Sequence, residues 1–339
     1  MEIGVHVIAG PGRAADTARF VEDLGFATLL FSDSQNLQPD VWGQLMVAAR
    51  ATSRVRLGPG VTNSVTRDAA VTASAALGLH VESGGRAILG IGRGDSAVQR
   101  IGKREDRVAS FAAYVAAVRA YLDGTPVDRD GTPSRLEWLP HIATARLPRL
   151  PIEVAATGRR VIEVGARYAD AVCFAVGAGP EYVSAALAHA RQAARDAGRD
   201  PTAVRYGAFV NAAVHDDVGV ARDMVRGAVA TFARFSAFAG SDRSAQPPPL
   251  RAVTGWLRTH YDMAAHARAG AAHVAGIPDA FVDWFAVAGP VDVVRERFRT
   301  LAHLGLDFCH VIPGAVGVDR ALVTASLRRL AADVVPAVA

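Results

Sequence analysis

The chain has 339 residues, half of them hydrophobic, enough for a large core and long for one domain unless that domain is a large α/β unit. Its 37 Lys and Arg against 33 Asp and Glu leave a net charge of +4 spread along the chain, which argues against nucleic acid as a partner. Cys173 and Cys309 each lie in an apolar run, against a disulfide framework; no apolar run nears 18 residues and no secretory leader pattern opens the chain, so a cytoplasmic protein with no membrane contact is expected.

In chain order, short apolar and β-branched runs alternate with longer amphipathic ones. Strands are expected at 3–8, 27–31, 55–61 and 87–91, with helices at 14–24, 41–52, 68–81 and 106–122 between them. Residues 124–150 carry too much Pro and Gly for a helix or central strand, and a long connection beside the active-site mouth is expected there. The rhythm resumes with strand 152–155, helix 159–168, strand 171–176, helix 180–196 (Pro180 at its first turn), strand 203–214 and helix 218–238. A second insertion, 239–280, reads as a flexible front and a mostly helical remainder. Helix 291–304, strand 308–312 and helix 318–335 close the chain. Eight strands separated by helices imply a parallel sheet, and eight in one chain imply a closed (β/α)₈ TIM barrel forming a single domain over 1–339.

In such a barrel, chemistry belongs at the carboxyl ends of the strands. Beyond the second strand stand Asp33, Ser34, Gln35 and Asn36, either ligand contacts or caps of the helix after Pro39. Beyond the third, Gly58 and Gly60 leave room for a flat ring or an unusual backbone, and Thr62 and Asn63 offer hydrogen bonds; the plain alternative is a glycine loop with Thr66 or Asp68 capping the next helix. The fourth strand runs into Gly90, Gly92 and Gly94, with Arg93, Asp95 and Ser96 facing the pocket. This is no P-loop, since no Lys followed by Ser or Thr is present, and it does not open a dinucleotide-binding unit. After the fifth, Thr157, Gly158 and Arg159 place free N–H groups, a helix dipole and a cation where an anion could bind, against a plain helix start.

His6, near the end of strand one, is either a pocket group or packed inside the barrel. His260, His266 and His273 do not share a helical face, so no metal site is expected, and no nucleophile elbow is present. Trp256, Tyr261, Met263, Phe281, Trp284 and Phe285 read as helix core rather than a cofactor box, with a hydrophobic substrate cavity the alternative for some of them.

The segments IGVHVIAG, the long run from LGFATLLFSDSQN through GPGVTNSVTRD to AILGIGRGDSA, AATGRRVIEVGARYADAV and AVAGPVDVVRERFRTLAHLGLDFCHVIP occur in an order that resembles the bacterial luciferase-like monooxygenase superfamily, within it the methylenetetrahydromethanopterin reductase-like group. The resemblance implies a luciferase-like barrel, commonly dimeric, that uses coenzyme F420 as hydride carrier or reduced FMN with O₂. It implies a small organic substrate and a flavin or F420 reductase as electron source. By residue, it implies Asp33 and Ser34 at the isoalloxazine edge, a non-prolyl cis peptide joining Gly60 and Val61 beneath the ring, and Thr62 and Asn63 at the ring's polar edge. Gly92, Arg93, Gly94, Asp95 and Ser96 would approach the ring or its side chain, and Thr157, Gly158 and Arg159 would hold the phosphate. His6 is a departure, since relatives vary there; His6 and Asp33 are the candidates for moving the proton. A hydride transfer with F420 is the leading expectation, a reduced-FMN monooxygenase the first alternative and a non-catalytic flavin-binding barrel the second. A cofactor-free hydrolase or aldolase is disfavoured for want of paired carboxylates, a lysine or a metal set at the strand ends.

Overall fold

The computed structural model describes residues 1–142, 147–236 and 246–338. The first half runs β1 (Glu2–Val7), α1 (Ala14–Asp23), β2 (Thr28–Phe31), α2 (Val41–Ala51), β3 (Arg56–Pro59), β4 (Thr62–Asn63), α3 (Ala69–Glu82), β5 (Leu89–Gly92), a single turn α4 (Ser96–Gln99) and α5 (Val108–Leu122). A hairpin of β6 (Val127–Arg129) and β7 (Thr132–Ser134) follows, then β8 (Ile152–Ala156), α6 (Arg159–Tyr168), β9 (Ala171–Phe174), α7 (Pro180–Asp196), β10 (Arg205–Val214) and α8 (Val218–Phe235). The last stretch contains α9 (Pro248–His260), α10 (Asp279–Phe285), β11 (Val287–Gly289), α11 (Val291–His303), β12 (Phe308–Ile312) and α12 (Arg320–Arg329), which widens into a π turn and ends in a short 3₁₀ turn.

The parallel sheet runs β3-β2-β1-β12-β10-β9-β8-β5-β4. Its two ends are halves of one strand, split around the Gly60–Val61 bond, and Leu57 also pairs with Ala87, so the sheet closes into the expected eight-staved barrel. β2, β5 and β9 are buried at every position, because one face packs the barrel interior and the other the surrounding helices. Closure also explains two glycines: a Cβ on Gly58 would meet the Ile88 carbonyl at 2.1 Å, and one on Gly90 the Pro59 carbonyl at 2.2 Å. Both glycines are required by strand contact, and Gly90 does not border the cavity.

The capping question is settled residue by residue. Asp40 accepts from Trp42 N and Gly43 N at the start of α2, and Asp68 accepts from Ala70 N at the start of α3. The residues upstream of each cap are therefore released to the strand ends.

Several expectations are corrected. β11 is an additional parallel strand on β10, missed because three residues are too few for a periodic signal. Among the described residues of 124–150 none borders the mouth: the hairpin lies outside the barrel, with Arg129 on Asp68 and Ser134 on Tyr121, while Pro148 O meets His80 Nε2 at 2.7 Å. The end of helix 218–238 and the front of the second insertion lie outside the described residues. The remainder of that insertion is helical as expected, and Phe281 and Phe285 are buried in a second core with α8 and α9.

Candidate active site

A cavity of about 1360 Å³ opens at the carboxyl ends of the strands, bordered by His6, Asp33, Ser34, Gly60 through Asn63, Gly92 through Ser96, and Thr157 through Arg159; Gln35, Asn36, Gly58 and Gly90, also considered from the sequence, do not line it.

His6, from β1, forms the floor. Its Nε2 lies 3.2 Å from Ser32 Oγ, its ring meets Phe209 edge-on at 5.7 Å, and a Cβ on Gly60 would strike it at 2.7 Å. Burial, with the charge of His310 behind it, pushes its pKa down to about 4, so the ring is neutral at ordinary pH. The Gly60–Val61 peptide is cis.

Asp33 is fixed from two sides. Thr62 Oγ1 donates to its Oδ2 at 2.7 Å, and Arg67 pairs with the same oxygen while its other nitrogen reaches Asp40 at 2.8 Å. With one oxygen already accepting twice, this carboxylate is built as an acceptor and an anchor. Beside it, Ser34 Oγ lies 3.0 Å from Ser96 Oγ, which ties the second strand's loop to the fourth's.

Asn63 is 2% exposed; its Oδ1 accepts from Val65 N, Thr66 N and Thr66 Oγ1, which shapes the loop. Its Nδ2 has no partner although buried, and the residue borders the cavity. An unpaired buried donor costs about 1–3 kcal/mol, so a ligand acceptor is the natural complement. Gly94, at φ +99°, turns the chain so that Arg93 and Asp95 diverge; a side chain there would also strike Val98.

At the other end the cavity is cationic. Gly158 begins α6 with no side-chain cap, leaving first-turn N–H groups open to a ligand. Thr157 Oγ1 leans on Ala175 O at 3.4 Å, and Arg159 reaches His189 at 3.3 Å. Arg160 and Arg107 border the same space, and Arg160 is close enough to Arg93 for the two charges to oppose one another. Arg93, held by Asp106 O at 2.6 Å, has its pKa lowered chiefly by burial. Like charges gathered beside an uncapped helix start are suited to an anion.

Sequence reasoning missed Arg107, Arg160 and the wall opposite the glycine loops. That wall carries Phe209 and Phe232, ring centroids 5.9 Å apart, and brings His266 of the second insertion into the cavity. Arg160 was readable beside Arg159; His266 was not, because only the folding-over of the insertion sets it opposite Asp95. Trp256, Tyr261, Met263, Phe281, Trp284 and Phe285 do not line the cavity.

The model of the luciferase-like monooxygenase family matches residues 3–307. The chain belongs to that family. This luciferase-like chain is 29% identical over 296 residues to a 5,10-methylenetetrahydromethanopterin reductase of Methanolobus tindarius, covering 87% of this chain and 88% of the relative. Its fold is similar to that of the coenzyme F420 dependent tetrahydromethanopterin reductase of Methanopyrus kandleri, with a TM-score of 0.74, 21% identity and coverage of 99% and 98%. It is also similar to an F420-dependent secondary alcohol dehydrogenase solved with an F420-acetone adduct, with a TM-score of 0.75, 15% identity and coverage of 100% and 99%. The luciferase-like chain is an oxidoreductase, and among the described residues no helix is long and apolar enough to cross a membrane and no metal-holding cluster is present.

Proposed function

We propose that the chain transfers a hydride between coenzyme F420 and a small organic substrate, as one barrel domain with the cofactor lying across the strand ends. The observation that carries this reading is the pairing of an orphaned buried donor, Asn63 Nδ2, with a cationic end built from Arg93, Arg107, Arg160 and the start of α6. A flat heterocycle with polar edge atoms and a long acidic tail satisfies both at once.

When bound, the deazaflavin supplies a carbon that gives or takes a hydride. The chain does the rest. Asn63 and the Asp33–Thr62–Arg67 cluster orient the ring's polar edge; Val61 and Gly92 pack against the ring; Thr157, Gly158 and Arg159 hold the phosphate. His6, neutral and beneath the site, keeps charge away from the ring face, and the apolar wall of Phe209 and Phe232 excludes water from the substrate.

The second reading, reduced FMN with oxygen, draws support from the family's monooxygenase character. It needs the same ring contacts and a shorter tail, so Arg107 and Arg160 favour F420. The large open cavity is what a catalyst needs and a purely carrier barrel does not. Where the substrate is reduced, a separate flavin or F420 reductase would supply the electrons; the protein acts in the cytoplasm. Two copies pair through α2 and α3, where Val47 and Val71 stand 50% and 55% exposed on packed helices.

Titrating the purified protein with F420 and with FMN, followed by fluorescence quenching, tests the reading. Saturable binding of F420, tighter than FMN, is expected; FMN binding alone would select the second reading, and binding of neither at tens of micromolar would remove both.

A further inference from the structure

The late insertion brings to the cavity a histidine that the cofactor contacts leave unused. His266 has a side chain 11% exposed; its Nδ1 lies 2.8 Å from Tyr261 Oη, and that hydroxyl lies 2.9 Å from Thr231 Oγ1, which in turn donates to Gly227 O at 3.2 Å. The ring is thus held at one nitrogen by a chain anchored in α8. Its other nitrogen, Nε2, faces Asp95 Oδ2 at 3.8 Å, too far for a direct hydrogen bond and suited to a ligand hydroxyl beside both atoms.

Asp95 is itself held. Arg234 pairs with its Oδ1, and the same guanidinium lies 4.5 Å over the Tyr261 ring. Asp95 and Arg234 offset each other's charge, and Arg100, on the same side of the cavity, donates to Met263 O, so the apolar rings beside them set the character of the ligand. Next to it Phe209, Phe232 and Phe235 form a run of aromatic rings, 5.9 and 5.1 Å between successive centroids.

We propose that His266 is the substrate-facing base of the site and, with Asp95, receives the hydroxyl of a neutral, largely apolar alcohol whose carbon skeleton lies on the three phenylalanines. The proposal rests on the deazaflavin reading above. Nδ1–H donates to Tyr261 Oη, which donates to Thr231, and this leaves Nε2 bare. The substrate O–H bond breaks with its proton passing to Nε2. The C–H bond of the carbinol carbon breaks with its electron pair, which goes as hydride to the oxidised deazaflavin, and the carbon–oxygen bond becomes a carbonyl. The alcohol is oxidised by two electrons and the cofactor reduced by the same two.

The groups facing His266 fit this order of events. Burial first, then Arg234, Arg100 and His273, disfavour its charged form, against Asp95, which favours it; the balance places its pKa at about 4 and keeps it an acceptor at rest. Once protonated it faces the Asp95 carboxylate. Tyr261 and Arg234 are positioning residues.

The test uses the protein with oxidised F420 bound and cyclohexanol and 2-octanol as probes. Wild type is expected to bleach the cofactor with at least one alcohol, and His266→Gln to lower kcat about 100-fold while cofactor affinity stays within twofold. A readout without turnover is the ¹⁵N resonance of His266 Nε2, identified by its loss in H266Q, which should shift when cyclohexanol is added to the wild-type complex. Full activity in H266Q, or alcohol oxidation with no shift of that resonance, overturns the proposal. A wild-type protein that binds F420 but oxidises neither alcohol overturns it too and leaves the cofactor reading standing; failure to bind F420 overturns both.

Discussion

Asn63 shows how one side chain serves both loop and ligand. Its Oδ1 fixes the turn by accepting three hydrogen bonds, and its Nδ2 is left for the cavity. Asn63→Asp keeps the acceptor and removes the donor, so cofactor Kd should rise about tenfold, or about 1.4 kcal/mol, with little change in melting temperature. An unchanged Kd would dissociate Asn63 from the ligand. Two buried histidines set an acid limit. His6 and His266 have folded pKa values of about 4 against an ordinary imidazole value of 6.5, so between those pH values the unfolded chain binds protons that the folded chain does not. Stability is complete above pH 6.5 and is lost as pH falls toward 4, on the order of 3 kcal/mol for each ring. Denaturant midpoints measured at pH 7 and pH 5 should differ; equal midpoints would contradict the neutral, buried state of both rings. At this scale the sequence was informative where a residue type is rare in its context: Asp33, Asn63 and Arg159 stand out just beyond apolar runs. His266 gave no such signal, because its partners Tyr261 and Asp95 become meaningful only in three dimensions.

The elements were legible to within a few residues because two periodicities write them into the chain. Strands buried on both faces read as unbroken apolar runs, and helices carry Asp caps or, at α7, an initial proline. What could not be read was the division of labour among glycines. Gly90 and Gly92 look alike in sequence, yet the first fits against the Pro59 carbonyl and the second borders the cavity. Gly90→Ala should therefore destabilise the fold, by about 2–4 kcal/mol in chemical denaturation, because a backbone carbonyl cannot yield as a side-chain tip can. A loss under half a kcal/mol would show that the two strands can separate at that point. The hairpin of β6 and β7 escaped notice because its strands are short and exposed, with no apolar alternation to reveal them.

For the whole molecule, eight βα repeats fix where a site can be, and the insertions fix what it accepts. Both insertions were visible as breaks in rhythm, but composition could not say which of them reaches the mouth; among the described residues it is the second, through His266 and its neighbours, while the hairpin of the first lies outside the barrel. The proposed pairing of two copies would run through the exposed Val47 and Val71 on α2 and α3. Val71→Glu should shift the protein from dimer to monomer in light scattering, and a monomeric wild type would contradict the pairing. The account's central claim, that a deazaflavin lies across the strand ends, is tested most directly by a crystal structure of the protein with oxidised F420. The expected result is a ring packed on Val61 with a hydrogen bond from Asn63 Nδ2, and a tail ending among Arg93, Arg160 and the first turn of α6. A ring bound elsewhere, or a tail directed away from those arginines, would contradict it.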